Sequence, residues 1–440
     1  MKVLIISHNP ITTYQNMGKT FLSLFSSFKK EELCQLYIYP TVPDVDVCES
    51  YFRVTDRDVL KSYFRFGKIN TRVITSDQID TKKHVMYESD SDAEFFKKNK
   101  KNSLSLIGRD LMWFFAHWYN GSMKAWLSDQ KPTCIFLAPG ESKFIYNIAM
   151  KIAKKLNVPI FTYVCDEYYF VQKPKKIVDR LQLSLLQRKM KQAMHKSVGL
   201  IAICDMLAKA YHDEFGVNAY TIHTGSNYAI AAAPRPLREE IRGLTYMGNL
   251  AFKRYESLAD IGRALDEINS ETGRDLKLFI YTKTIGEEAK KSFEGIQSIE
   301  HCGFVTGEEF EQTLHEADVL VHVESFSPEC IERVKHSVST KIADSLGSGV
   351  PLLAYGPENV ASMRYLLDQG AWQIGDVAGL KDGISERLNL EERLLTSCLG
   401  LKIAKLNHYQ YENSIKLYSI MQSIKTCDDI ELKTEAGEVK

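Results

Sequence analysis

The stretch VLVHVESFSPECIERVKHSVSTKIADSLGSGVPLLAYGP, Val319 to Pro357, decides how the chain folds. It opens with an apolar β-rich run that ends at Glu324, passes through a loop, and enters a helix from about Thr340 to Gly347. Gly349-Val350-Pro351 then turns the chain into a second apolar run. Strand, helix and strand in this order, with both strands mainly apolar, form the repeating unit of a parallel α/β sheet. The first turn of the helix carries Ser339, Thr340 and Lys341, which offer two hydroxyls, an ammonium and free backbone N–H groups to an anion such as a diphosphate. Asp344 lies one turn further on and can accept hydrogen bonds from a sugar diol.

The same alternation extends in both directions. Strand candidates upstream are Val3–Ser7, Gln35–Tyr39, Arg72–Ile74, Thr133–Leu137, Ile160–Val164, Gly199–Ile203 and Ala219–Ile222. A second series comprises Leu244–Met247, Leu276–Tyr281, Ile299–Phe304, Val319–Val323, Pro351–Ala354 and Ala371–Ile374. Between them the AAAPRP segment, Ala231–Pro236, does not alternate and is stiffened by two prolines, as suits a linker. The expectation is an α/β protein of two Rossmann-like parallel-sheet domains, residues 1–230 and 238–400, joined by 231–237, with about six strands in each sheet. A helical pattern over 401–425 is expected to pack back on the first domain, and 427–440 reads as a polar, fraying tail.

Length and composition agree with this organisation. A chain of 440 residues is too long for one ordinary domain. With 44% hydrophobic and 25% charged residues it is a globular sequence, which excludes disorder, collagen and coiled coil as its main architecture. Lysine and arginine together number 56, as do aspartate and glutamate, so the zero net charge gives no global reason to expect a nucleic acid partner. The nine cysteines are scattered and never form CxxC, which argues for reduced thiols rather than a disulfide framework or a zinc site. The apolar run of MKVLIISHNP is too short for a secretory signal, and no stretch approaches the roughly 18 apolar residues of a membrane-spanning helix. The chain therefore reads as cytoplasmic and soluble, or at most peripheral at the inner face of a membrane.

Gly18-Lys19-Thr20 follows the first strand at the distance of a phosphate loop, but a full GxxxxGK[ST] pattern needs glycine where Thr13 stands. Gly18 is instead expected to keep side chains away from a ligand at the entry to helix Lys19–Phe28. No GxGxxG follows a strand, which argues against a dinucleotide oxidoreductase.

Glu324-Ser325-Phe326, followed by an acid seven residues before a Gly-x-Pro proline (Asp344 to Pro351), resembles the donor-site signature of glycosyltransferase family 4. That family has the GT-B fold, two Rossmann-like domains facing each other across a cleft. Its usual pair of glutamates stands eight residues apart; here His336 occupies the position eight before Asp344, which implies an inserted loop of about a dozen residues. Tyr246-Met247-Gly248-Asn249-Leu250, with Lys253-Arg254 after it, resembles the family's glycine loop and its diphosphate-holding cation. Asn249 stands where an arginine often follows the glycine. Tyr163-Val164-Cys165-Asp166 sits where the family often has His-Asp at a strand end, with Cys165 replacing the histidine.

The resemblance implies transfer of a sugar from a nucleotide-diphosphate donor to a carbohydrate or lipid-linked saccharide, with retention and without a metal or other cofactor, as in cell-surface polysaccharide biosynthesis. It implies donor binding by Gly18, Gly248, Asn249, Lys253, Arg254, Glu324, Ser339, Thr340, Lys341 and Asp344. Arg254 and Lys341 would offset the charge of the leaving diphosphate, and Asp166 would act on the acceptor side. Two rivals stay open: a nucleotide-sugar epimerase on the same scaffold, and a GT-B scaffold that binds sugar or protein without catalysis.

Three features fall outside the signature. Glu141 lies past a strand end, where it either meets a ligand or caps the next helix. Trp113–Trp126 is an aromatic segment that suits a core helix, with lipid or sugar stacking as the alternative. Val171–Lys196 holds eight lysines and arginines against Asp179, a net +7, with Arg180, Ser184, Arg188, Lys191 and His195 at helical spacing opposite Leu183, Leu186, Met190 and Met194. That basic face is either solvated or in contact with an anionic membrane surface. Ile285–Glu332, in contrast, carries twelve acids against two lysines.

Overall fold

The computed structural model describes residues 1–13, 16–64, 71–75, 78–79, 103–171, 174–369 and 373–437. Lys173, part of the basic segment, and residues 371–372 of the last expected strand lie outside them. The chain divides into two compact units, Met1–Ile222 with Gln410–Lys440, and His223–Tyr409.

The first unit is built on an eight-stranded sheet. Its strands are β1 (Val3–Ser7), β2 (Leu33–Tyr37), β3 (Ser50–Arg53), β4 (Arg72–Thr75), β5 (Cys134–Ala138), β6 (Ile160–Val164), β7 (Ser197–Ala202) and β8 (Ala219–Thr221). They lie in the order β4-β3-β2-β1-β5-β6-β7-β8. All neighbours are parallel except β3 and β4, so the sheet closes on an antiparallel edge. The central strands β1, β2, β5 and β6 are buried at every residue, which explains why they read as continuous apolar runs rather than alternating ones. The returning helix begins at Gln410 and packs through a stripe in which Leu417 and Met421 are fully buried. On that stripe Ser414 bonds Ser27 and Tyr418 reaches Glu32. The helix continues to Gly437, where a fraying tail was expected from residue 427.

The second unit has a six-stranded, wholly parallel sheet of β9 (Gly243–Met247), β10 (Lys277–Tyr281), β11 (Ile299–Gly303), β12 (Val319–Val323), β13 (Leu352–Tyr355) and β14 (Gln373–Ile374), in the order β11-β10-β9-β12-β13-β14. Taken from β9, this is the 3-2-1-4-5-6 order of a doubly wound sheet. Its strand order reverses between β9 and β12, and ligands of such sheets gather beyond the carboxyl ends of the strands at that point. Two cores flank the sheet: Val319, Val321 and Val323 point into one, Leu320 and Leu352 into the other.

The chain divides at Ile222, earlier than the expected linker. Ala231–Pro236 is bonded into the second unit: Ala231 N–H donates to Gly347 O at 2.8 Å and Arg235 N–H to Gly349 O at 2.8 Å. Helix Leu390–Asn407 also belongs to the second unit, so only the helix from Gln410 returns to the first.

Candidate functional site

At the switch point the loop after β9 is shaped by a close approach. A Cβ on Gly248 would stand 2.7 Å from the Tyr246 hydroxyl, which itself donates to Asn249 O at 2.6 Å. A side chain there would have to displace the Tyr246 ring end from this bond. Phe252 and Lys253 then both take left-handed backbone angles, φ 55, and launch helix Arg254–Thr272.

Arg254, the first residue of that helix, places a cation at the positive end of the helix dipole, an unfavourable position unless something else holds it. Glu324 holds it. The carboxylate, 2% exposed just past β12, accepts from Arg254 Nη2 at 3.1 and 3.0 Å and from Nε at 3.2 Å. Nη1 is left to Asn249 Oδ1 at 3.3 Å. Ser362 Oγ adds a bond to Glu324 Oε1 at 3.3 Å. Burial works against the guanidinium's charge, yet the facing Glu324 raises the pKa of Arg254 above its ordinary value.

Across the same pocket stands Lys341, opening the seven-residue helix Lys341–Gly347. Among the described residues it makes no ion pair. Burial, and then the nearby Arg254, lower its pKa, while Asp344 acts in the opposite direction. Ser339 also lines the pocket, whereas Thr340 is exposed outside it. The cavity, about 70 Å³, thus has Asn249, Arg254, His322, Ser339 and Lys341 on its wall and carries one paired and one unpaired cation.

His322 was not singled out from the sequence, because one histidine inside an apolar strand reads as core. It is buried, its Nε2 lies 3.5 Å from Glu324 Oε1, and among the described residues that nitrogen makes no hydrogen bond. Burial lowers its pKa to about 4, with Arg254 and Lys341 adding to the shift against the pull of Glu324. His408, which bonds Thr224 O through Nδ1 at 2.7 Å and the Tyr365 hydroxyl through Nε2 at 2.9 Å, is likewise pushed down to about 4. Unfolding lets both take a proton near pH 6.5, so their contribution to stability is whole above that pH and lost as pH falls toward 4. Denaturant titrations should show stability falling over this window by on the order of 3 kcal/mol per histidine. His322→Gln should flatten the slope; an unchanged slope in that variant would contradict the neutral assignment.

The other expected donor residues fall in different places. Asp344 does not face the pocket: its carboxylate accepts from Asn227 N–H at 2.7 Å, Asn227 Nδ2 at 3.1 Å and Ser226 Oγ at 3.3 Å, tying that segment to the helix. Burial raises its pKa, and those bonds work against the rise. Lys253 turns along its own helix toward Glu256, Nζ to Oε1 3.7 Å. The implied insertion before Ser339 contains a helix, Pro328–Val334, whose Arg333 sits over the Phe252 ring at 5.4 Å.

Gly18 and Asp166 belong to the first unit. A Cβ on Gly18 would lie 2.6 Å from the Thr12 backbone, so its own neighbour demands glycine there. Asp166 is exposed past β6, with Tyr168 Oη donating to it at 3.3 Å, while Glu167 accepts from the N–H groups of Tyr169 and Phe170 and so caps the turn. Beyond the carboxyl ends of β1, β3 and β5 the structure brings together His8, Asp56 and Ser142 around Arg109, a cluster not foreseen. The available signal was a polar residue shortly after each of those strand ends. Among the described residues no group of histidines, cysteines and acids is arranged to hold a metal ion, and no helix is long and apolar enough to cross a membrane.

No family model matches the chain, and no curated protein is similar to it in sequence. Solved structures resemble it in fold. Sucrose-phosphate synthase from Thermosynechococcus elongatus superposes with a TM-score of 0.58 at 10% identity, over 97% of this chain and 99% of that one. The α,α-trehalose 6-phosphate synthase from Burkholderia multivorans gives 0.58 at 10% identity, over 99% and 98%. Anabaena HepE in complex with UDP-glucose gives 0.55 at 10% identity, over 96% and 100%. Likeness at this identity is likeness of fold: the chain has the GT-B architecture of two Rossmann-like α/β domains.

Proposed function

We propose that the protein is a glycosyltransferase of the family 4 type, which takes a nucleotide-diphosphate sugar in the switch-point pocket of its second unit. The observation that carries this reading is the convergence of Arg254 and Lys341 on one pocket at the reversal of strand order. As the sugar leaves, negative charge grows on the diphosphate, and preorganised cations in a partly buried site stabilise it without reorganising. Arg254 is held in place by Glu324 before any ligand arrives, and Lys341 supplies the unneutralised charge. This electrostatic role takes the place of a metal, and the reading includes retention at the sugar carbon. The acceptor is a carbohydrate or lipid-linked saccharide of cell-surface polysaccharide assembly, with Asp166 assigned to it. A lipid-linked acceptor would bring residues 171–196 to a membrane. UDP-glucose in the complex with Anabaena HepE, a protein of the same fold, supports a nucleotide sugar as donor.

The test is donor turnover without acceptor. Incubated with a panel of nucleotide sugars, the protein should slowly release nucleoside diphosphate from one of them, and EDTA should leave the rate unchanged. A strict need for divalent ions would refute the metal-free part. Release of a 2-epimeric sugar would establish the epimerase instead, and inertness toward every donor would leave a non-catalytic scaffold.

A further inference from the structure

The first unit carries an apolar surface that its core does not use. Helix Ile177–Met194 buries Leu183, Leu186, Met190 and Met194 on one side, yet its opposite side opens with Ile177, 81% exposed, and Leu181, 53% exposed. Helix Ser103–Phe115 packs beside it and buries Trp113, while Leu111, Phe114 and Phe115 stand in solvent, Phe114 at 72%. Helix Asp56–Ser62 also packs on Ser103–Phe115. It is followed by Tyr63, whose hydroxyl donates to Met112 O at 2.5 Å, and by Phe64, 84% exposed. Three helices linked by packing thus turn large apolar side chains outward, a concentration that single, scattered exposed residues would not give.

The charges around this surface favour one occupant. Lys61, Lys175, Lys176, Arg180 and Arg188 are all exposed on the same elements or immediately before them. Among the described residues the acids there are engaged or recessed: Asp58 caps its own helix through Thr55, Asp56 pairs with Arg109, Asp110 pairs with Lys143, and Asp179 is half-buried. Phenylalanine, leucine and isoleucine flanked by lysine and arginine form the composition of a surface that lies in the headgroup region of a bilayer, where apolar side chains enter the acyl boundary and cations meet lipid phosphates. We propose that the outer faces of helices Asp56–Ser62, Ser103–Phe115 and Ile177–Met194 form a docking surface for an anionic lipid bilayer. The surface is wider than the basic segment 171–196, because two of its three helices supply apolar side chains from elsewhere in the chain. It stands on the first unit alone and needs no nucleotide, so its failure and that of the glycosyltransferase reading are separately measurable.

The experiment is co-sedimentation of the full chain with vesicles of phosphatidylcholine alone and of phosphatidylcholine with one part in about three of phosphatidylglycerol. The protein should bind the anionic vesicles, release them as salt is raised, and bind the zwitterionic ones weakly. Joint Phe114→Ser and Phe115→Ser, and separately Ile177→Glu, should each weaken binding about ten-fold or more. Lys175→Gln and Lys176→Gln should each weaken it about five-fold. These side chains are exposed, so thermal unfolding should be unchanged in every variant, which separates lost docking from lost folding. Failure of the wild type to bind anionic vesicles overturns the proposal, as does binding that survives the Phe114, Phe115 and Ile177 substitutions. An oligomer that ignores vesicles and dissociates on Ile177→Glu overturns it as well, and assigns the surface to a second copy of the chain.

Discussion

Arg254→Ala is expected to lower the proposed donor turnover and to destabilise the second unit in one step. The guanidinium makes three contacts of 3.0–3.2 Å to Glu324, whose carboxylate is 2% exposed. Removing it leaves a buried anion without its cation, a change that costs about 3–5 kcal/mol. The same substitution removes one of the two cations on the pocket wall, so nucleoside diphosphate release from the donor should fall about 100-fold or more. The two effects can be separated. Arg254→Met combined with Glu324→Leu removes both buried charges, and should recover most of the stability seen in denaturant melts while turnover stays lost. Recovered turnover in that double variant would show that the pair is structural only. Arg254→Lys should rescue poorly, because an ammonium cannot reproduce the fork that spans Glu324 and Asn249.

Lys341→Met should act with the opposite sign on stability. Among the described residues Lys341 has no paired carboxylate, its burial disfavours its charge, and Arg254 adds repulsion. Exchange for an apolar side chain of similar length removes a costly charge and should leave stability equal or raise it by about 1 kcal/mol. Nucleotide affinity should nonetheless fall about 30-fold or more, since the unneutralised cation is what a diphosphate would meet. A residue that destabilises the empty protein and serves only a ligand is the pattern expected of a binding site rather than a scaffold. Loss of several kcal/mol with affinity intact would contradict this role.

The parallel sheets were legible because their central strands are buried on both faces and so stand out as unbroken apolar runs; β1, β6 and β12 match the sequence reading at both ends. β3, Ser50–Arg53, was passed over because it is a four-residue strand behind a stretch rich in proline and aspartate, and its pairing with the antiparallel β4 follows from tertiary context. The linker was misplaced for a different reason. Ala231–Pro236 has the composition of a free segment, but its backbone is bonded to Gly347 and Gly349, and composition carries no information about such distant partners.

In the site, residue types were legible and their partners were not. Arg254 and Lys341 were expected at an anion and do share a pocket. Glu324 and Asp344, both expected to bind the donor, bond Arg254 and the Ser226-Asn227 segment in the fold. A carboxylate's spacing from a proline is the same whether it faces a ligand or a neighbouring main chain, and only the fold distinguishes them. His322 escaped for the same reason, since its significance comes from the charges that β9, β12 and the helix at Lys341 bring around it.

The central claim, that the second unit holds a nucleoside diphosphate between Arg254 and Lys341, is tested most directly by calorimetric titration of the wild type and of Lys341→Met with UDP, GDP, ADP, CDP and dTDP. The account predicts selective binding of one of them to the wild type, and binding of that same nucleotide weakened about 30-fold in a Lys341→Met protein that unfolds no earlier than the wild type. Absence of binding by every nucleotide, or equal affinity in the two proteins, would contradict it.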